Sequence, residues 1–301
     1  MLPAAVLPTP LTPVDDPEFA AAGAELWLKR DDLAHPSVPG NKWRKLAPNL
    51  ERAVADGARG LLTYGGAYST HVRAVAAAAR GLGLASTGVI RGAELAGRPR
   101  NWSLARAERD GMVLEFVERS AYRALAGGGQ ERRAGYYVLP EGGSNGLAVR
   151  GAAVTAAELV DALPDFGPRD VVCCPVGTGG TLAGIAAGLP AGPRALGVAV
   201  LRGEGYLEAE VTALHRAGYG REFPNWQLVH GWHGGGYGKV PPELERFASW
   251  FEAAYGVPVE RRYVAKALWA VYGLLRAGGL RERRVTVVVT GLPDPVGRDS
   301  R

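Results

Sequence analysis

The chain has 301 residues, 47% hydrophobic and 22% charged, enough for two domains of roughly 150 residues or one large α/β unit. Its net charge of +5 is spread over arginines interleaved with acidic residues, a solvated pattern that argues against a nucleic-acid partner. No apolar run is long enough to cross a membrane, and Met1–Val14 carries four prolines and no basic stretch, unlike a signal peptide, so a cytoplasmic protein is expected.

Leu26–Leu28 is the first expected strand. Asn41 then suits the cap of a helix from Lys42 to about Asp56, with Leu46, Leu50 and Val54 on one face and Pro48 inside, where a kink or restart is expected. A strand over Gly60–Tyr64 leads through Gly65-Gly66 into a helix containing Ala76–Ala79, whose small side chains permit close packing on a sheet. Further strands are expected at Thr87–Ile90, Met112–Val117, Tyr137–Leu139, Asp170–Cys174, Leu196–Leu201, Gln227–Val229 and Val285–Thr290. Helical patterns lie between most of them, so the fold class is α/β with largely parallel sheet and helices on both faces. Gly127–Gln130 and Gly203–Gly205 read as loops, and Arg281–Arg284 as a turn before the last strand. The only cysteines, Cys173 and Cys174, are adjacent in an apolar strand and behave as small buried residues, without partners for a disulfide or a zinc site.

Only five of the 35 basic residues are lysines, and two of them, Lys42 and Lys45, stand three positions apart. Lysine, unlike arginine, can lose its proton when desolvated and attack a carbonyl, which makes this pair candidate Schiff-base nucleophiles. The spacing alone equally suits two solvated lysines on a helix's first turn. After the strand ending near Cys174 comes Gly177-Thr178-Gly179-Gly180-Thr181 and then a helix pattern. Backbone N–H groups converging at such a helix start favour a phosphate. Two familiar loops fit poorly. A Walker loop needs a lysine that is absent, and a dinucleotide fingerprint needs glycine where Leu182 stands. Two more glycine-rich loops, Gly65–His71 and Pro140–Gly146, join a strand to a helix. A reactive lysine with a phosphate loop points to a phosphate-bearing aldehyde cofactor, pyridoxal 5'-phosphate.

The ordered set Lys29–Leu33, Gly40–Leu46, Gly65–His71, Pro140–Asn145, Gly177–Thr181, Gly236–Gly238, Tyr263–Ala267 and Thr290-Gly291 resembles the 1-aminocyclopropane-1-carboxylate deaminase and D-cysteine desulfhydrase family, within the tryptophan-synthase-β-like, fold type II pyridoxal phosphate enzymes. The resemblance implies two open parallel-sheet domains. The large one comprises residues 1–50 and 150–301, and 51–149 form a small, mobile one. It implies that Lys42 bonds the cofactor, with Asn41, Lys45 and Thr70 beside it. Gly177, Thr178, Gly179, Gly180 and Thr181 cradle its phosphate, and Thr290 sits at the pyridine nitrogen. Ser69, Tyr237 and Tyr263 carry catalysis around a small amino-acid substrate, which Ser69, Thr70, His71 and Tyr237 contact. Homodimers are common among such enzymes, although no motif here demands one. His230 and His233 lack a third partner for a metal, and Trp232 or His233 is expected to border the substrate pocket.

Two positions depart from the family pattern. Thr70 stands where an asparagine is usual, and Val264 where the ring-opening enzymes carry glutamate. The second departure favours elimination, in which a base removes the α-proton and a β-substituent leaves, giving a 2-oxo acid and ammonia. Ring opening of the cyclopropane substrate, a cofactor-binding protein without turnover and a nicotinamide-dependent enzyme are the alternatives.

Overall fold

A computed structural model describes residues 5–126 and 133–293. Gly127–Gln130 lies outside the described residues. Ten strands and ten helices alternate through them, in two sheets.

The chain opens with β1 (Leu11–Val14), α1 (Pro17–Ala21) and β2 (Glu25–Lys29), then enters α2 (Lys42–Ala55). The next stretch holds β3 (Gly60–Gly65), α3 (Thr70–Leu82), β4 (Ala85–Arg91), α4 (Trp102–Arg109), β5 (Met112–Val117), α5 (Arg119–Ala126) and β6 (Tyr136–Leu139). These strands form a four-stranded, all-parallel sheet in the order β5-β4-β3-β6. The remainder supplies α6 (Gly146–Ala162), β7 (Asp170–Val176), α7 (Gly180–Gly188), β8 (Arg194–Ala199), α8 (Tyr206–Tyr219), β9 (Trp226–Val229), α9 (Pro242–Tyr255), α10 (Val264–Arg276) and β10 (Arg284–Val288). The second sheet has the order β1-β2-β10-β7-β8-β9 and draws on both ends of the chain. It is parallel except where β1 runs against β2 at the edge.

β1 has no counterpart among the expected strands. Pro13 lies within it, and an edge position tolerates the missing N–H. The other nine strands fall where the apolar runs place them, shifted by a residue or two at their ends. Alternation explains why these runs suit a sheet covered on both faces. In β10, Val285 and Val287 face a core shared with α9 and α10, whereas Val288 joins the opposite core with α6, α7 and α8. Cys173 and Cys174 divide between the same two cores, fully buried. In the smaller sheet Leu61 packs under α2 and α3, while Leu62 and Tyr64 pack with Tyr122 of α5.

Two expectations about α2 are corrected. Asn41 does not cap it, because its backbone is already helical (φ −64°, ψ −1°) and its side chain makes no capping bond. Nor does Pro48 restart the helix, which runs unbroken from Lys42 to Ala55. Proline removes the N–H that would have bonded the Arg44 carbonyl. That carbonyl faces Gly151 of α6, where an added Cβ would lie only 2.0 Å from it. The proline therefore sits where α2 and α6 press together.

Candidate active site

One cavity of about 710 Å³ opens between the C-terminal ends of the two sheets' strands, and every residue to which the resemblance gives a cofactor, substrate or catalytic role lines it. Lys42 comes from the first turn of α2, and Ser69, Thr70 and His71 from the start of α3. Gly177–Thr181 span the turn from β7 into α7, Thr290 follows β10, and Tyr263 precedes α10. Crevices at the carboxyl ends of parallel strands are the usual ligand site of open α/β sheets.

Lys42 loses its proton more readily than an ordinary lysine. Its pKa is lowered to about 8, first by burial, then by the charge of Arg73, with Glu260 opposing. The positive end of the α2 dipole acts in the same direction. Lys45, one turn on, has its amine committed: Nζ donates to the Gly142 carbonyl (2.5 Å) and to Ser144 Oγ (2.7 Å). Burial and the neighbouring Lys42 charge hold its pKa well below the ordinary lysine range. Neither side chain is a solvated surface lysine. Lys29 and Lys266 are fully buried as well, which leaves Lys239 alone exposed among the five.

The glycine loop is fitted to its neighbours. Gly179 has φ +79°, and α7 begins one residue later, so its first amides open into the cavity without a capping side chain. A Cβ on Gly180 would stand 2.7 Å from Ser144 Oγ and 3.1 Å from Lys45 Nζ. Ser144 Oγ in turn shares a hydrogen bond with Thr178 Oγ1 (2.7 Å), so Lys45 ties the loop after β6 to the loop after β7. Asn41 Nδ2 donates to Thr181 Oγ1 (3.0 Å), while its Oδ1 is buried without a partner. Its backbone N–H donates to the Thr290 carbonyl (3.1 Å). Gly40 is required there: its φ is +59°, and any Cβ would meet that carbonyl at 2.0 Å.

Ser69 is the cap that Asn41 is not, its Oγ accepting from Val72 N (3.3 Å). Thr70 Oγ1 accepts from Arg73 Nη2 at 3.4 Å. The His71 tautomer follows from its neighbours. Thr63 Oγ1 donates to the Leu139 carbonyl, which can only accept, and so must accept from His71 Nε2 (2.9 Å). His71 Nδ1 is left as a bare, buried acceptor, and burial with the two nearby lysine charges keeps the ring neutral. Tyr263 donates to the Tyr237 hydroxyl (3.1 Å). Burial and that same hydroxyl raise its pKa well above the tyrosine range, so it is a proton donor rather than a base.

Trp232 and His233 do not border this cavity. Trp232 packs edge-on against Trp269 and fills the space over Gly273, and His233 Nδ1 accepts from Gly235 N (3.0 Å). His230 pairs with Glu208 (2.7 Å). Val264 points into the core below the large sheet and is wholly buried. Glu260, three residues before Tyr263, lines the cavity instead, its carboxylate accepting the N–H groups of Arg262 and Tyr263 (both 2.7 Å). Glu260, Arg91, Arg262 and Trp102 were not foreseen as site residues. Each is a single residue outside the glycine motifs, and the fold alone brings it in.

A cavity lysine of lowered pKa beside an open helix start suits a phosphate-bearing aldehyde. The family model described as "Pyridoxal-phosphate dependent enzyme" matches residues 2–291. The chain belongs to that family. Its cofactor is therefore pyridoxal 5'-phosphate. The chain is 35% identical over 174 residues to a putative 1-aminocyclopropane-1-carboxylate deaminase of Thermotoga maritima, covering 56% of this chain and 54% of that protein. It is 33% identical to a D-cysteine desulfhydrase of Klebsiella pneumoniae (65% and 63%). A third relative is the bifunctional D-cysteine desulfhydrase and 1-aminocyclopropane-1-carboxylate deaminase of Arabidopsis thaliana, at 34% (60% and 49%). The matches thus span about half to somewhat under two thirds of these relatives. Among solved structures, a 1-aminocyclopropane-1-carboxylate deaminase homologue superposes with a TM-score of 0.80 at 26% identity, covering 94% of this chain and 89% of that one. A fungal L-serine ammonia-lyase from Rhizomucor miehei, at 18% identity and a TM-score of 0.67, shares the fold.

Proposed function

We propose that the protein is a pyridoxal phosphate-dependent lyase acting on a small amino acid, most like a D-cysteine desulfhydrase, by α,β-elimination to a 2-oxo acid and ammonia. The observation that carries this reading is the convergence of Lys42, the Gly177–Thr181 turn and Thr290 on one cavity. Lys42 holds the cofactor through its amine. Gly177, Thr178, Gly179, Gly180 and Thr181 would hold its phosphate, with Asn41 and Thr70 beside it and Thr290 towards its ring nitrogen. When bound, the cofactor supplies a sink for the negative charge that develops at the substrate α-carbon.

The side chains divide the proton work by their acidities. Lys42, when its amine is free, has the affinity to take the α-proton near neutral pH. Tyr263 stays protonated and, linked to Tyr237, delivers a proton to the departing β-substituent. Ser69, Thr70 and His71 receive the substrate carboxylate at the amino end of α3, where N–H groups lack helical partners. Lys45 is structural, because both acceptors it serves are protein groups. No carboxylate follows Tyr263, and Val264 is sealed in the core, which supports elimination over ring opening.

Residues 51–149 form the small domain in this reading and close over bound substrate, carrying Ser69 towards Lys42. A homodimer in the cytoplasm is part of the same proposal. Among the described residues no helix is long and apolar enough to cross a membrane. The test is a panel of D- and L-amino acids assayed for 2-oxo acid and, with cysteine, for sulfide. Turnover of a D-amino acid bearing a β leaving group supports the reading. Release of 2-oxobutyrate from 1-aminocyclopropane-1-carboxylate with no β-elimination would replace it with ring opening.

A further inference from the structure

We infer that Lys266 is a positioning residue whose amine sets the turn carrying Tyr237, so that the Tyr237 and Tyr263 hydroxyls meet in the cavity. This rests on the amino-acid lyase reading and deepens it, because that reading has the two tyrosines deliver the proton to the departing β-substituent.

Tyr237 has little around it to fix its place. It stands between Gly236 (φ +136°) and Gly238 (φ +72°), on a stretch without helix or strand, and its side chain is half-exposed. Backbone of this kind has many accessible conformations, so ties to the rest of the fold must set its path. Within the turn, Gly236 N donates to the His233 carbonyl and Lys239 N to the Gly236 carbonyl (both 3.2 Å). Among the described residues, two hydrogen bonds reach Gly234–Lys239 from elsewhere in the fold. Tyr263 donates to the Tyr237 hydroxyl (3.1 Å), and Lys266 Nζ donates to the Gly236 carbonyl (3.0 Å). Both donors sit at the start of α10, one holding the tyrosine's side chain and the other the backbone just before it. A second Lys266 bond, to the Val200 carbonyl just past β8 (3.1 Å), fixes the amine to the large sheet.

Lys266 is fully buried and is not part of the cavity wall, so it acts through the turn and not on the substrate. Burial draws its pKa down to about 8, with the Glu260 carboxylate opposing and Arg262 adding to the effect. An apolar side chain would fill the same space at less cost, but it could not hold the two carbonyls. An amine keeps two N–H groups for them even after losing its proton.

The test compares two substrates in the holoenzyme. In D-cysteine the departing sulfur takes the electron pair of the Cβ–S bond and is helped by a proton, whereas chloride leaves β-chloro-D-alanine as a stable anion without one. Lys266→Met, close in volume but without a donor, should lower kcat with D-cysteine about tenfold or more at nearly unchanged KM, and with β-chloro-D-alanine by no more than about twofold. In a Tyr237→Phe background the same substitution should have no further effect on D-cysteine turnover. Amide hydrogen exchange over residues 232–239, which needs no turnover, should quicken in Lys266→Met. Retained cofactor absorption reports that the variant folds. If Lys266→Met does not retain it, Lys266→Gln, with two N–H groups on a stem one atom shorter, should show smaller losses in the same order. Unchanged kcat and exchange in the Lys266 variant, an equal loss with both substrates, or an undiminished loss in Tyr237→Phe would overturn the inference. A Tyr237→Phe variant with normal D-cysteine turnover would overturn the tyrosines' proton role, and this inference with it. A wild type that turns over neither substrate would overturn the lyase reading and this inference together. An impaired Tyr237→Phe beside a normal Lys266→Met would overturn this inference alone.

Discussion

Lys42 shows how position overrides residue type. Its folded pKa of about 8 lies below the ordinary lysine value of 10.5, so the folded chain releases this proton at lower pH than the unfolded chain does. The cost of a charge in the cavity is full below about pH 8 and is relieved as pH rises from there towards the unfolded value. Through this group alone, the cofactor-free protein gains stability with pH across that window. Urea titrations at pH 7 and pH 9 on wild type and Lys42→Met should show the wild type gaining relative to the variant at the higher pH. Only the neutral amine attacks an aldehyde, so cofactor uptake followed by stopped-flow absorbance should quicken up to about pH 8 and level above it. A rate flat from pH 6 to pH 9 would count against a titrating Lys42.

At this scale the sequence was informative where composition was skewed. Lysine is scarce, and four of the five turn out to be buried or set in the cavity wall, each where a compact ammonium or amine serves. Glycine-rich turns were legible because each marks a strand meeting a helix. Glu260 and Arg91 were not, since a lone carboxylate or guanidinium carries no spacing signal and acquires its place only from the packing of α10 and β4. Trp232 shows the converse failure: an aromatic in a glycine-rich stretch looked like a pocket wall, yet it fills the space over a core glycine.

Among the elements, α2 carries most of the site's alignment, presenting Asn41, Lys42 and Lys45 from its first turns while packing on α6. Its path depends on Gly151, whose missing side chain lets α6 approach the Arg44 carbonyl. Gly151→Ala should destabilise by about 1–3 kcal/mol through overpacking, read as a lower urea midpoint, and should weaken cofactor retention by displacing Lys42. Nine of the ten strands were readable from apolar runs because strands buried on both faces leave that signature. The exception, β1, is short, carries a proline and lies at an edge, where none of that signature is needed.

Over the whole molecule, the N-terminal segment and the middle of the chain meet in one buried charge network. Arg44 of α2 bonds Asp31 (2.7 and 2.9 Å) and Glu158 of α6 (2.8 and 2.9 Å), and Lys29 of β2 pairs with Glu158 (2.6 Å). Every side chain in it is nearly or wholly inaccessible. Arg44→Met leaves two carboxylates facing one lysine, which should cost about 3–5 kcal/mol, measured by urea denaturation. The charge network was not foreseen, because Glu158, which closes it, lies more than a hundred residues from Lys29 and Arg44.

The central claim is that Lys42, and no other lysine, bonds the cofactor. Borohydride reduction of the purified, pyridoxal phosphate-loaded protein converts a lysine–cofactor bond into a stable secondary amine, and peptide mass mapping then locates it. The account predicts the pyridoxyl adduct on Lys42 and its loss, together with the near-violet absorption, in Lys42→Ala. An adduct on Lys45 or Lys266, or a Lys42→Ala variant that still traps the cofactor, would contradict it.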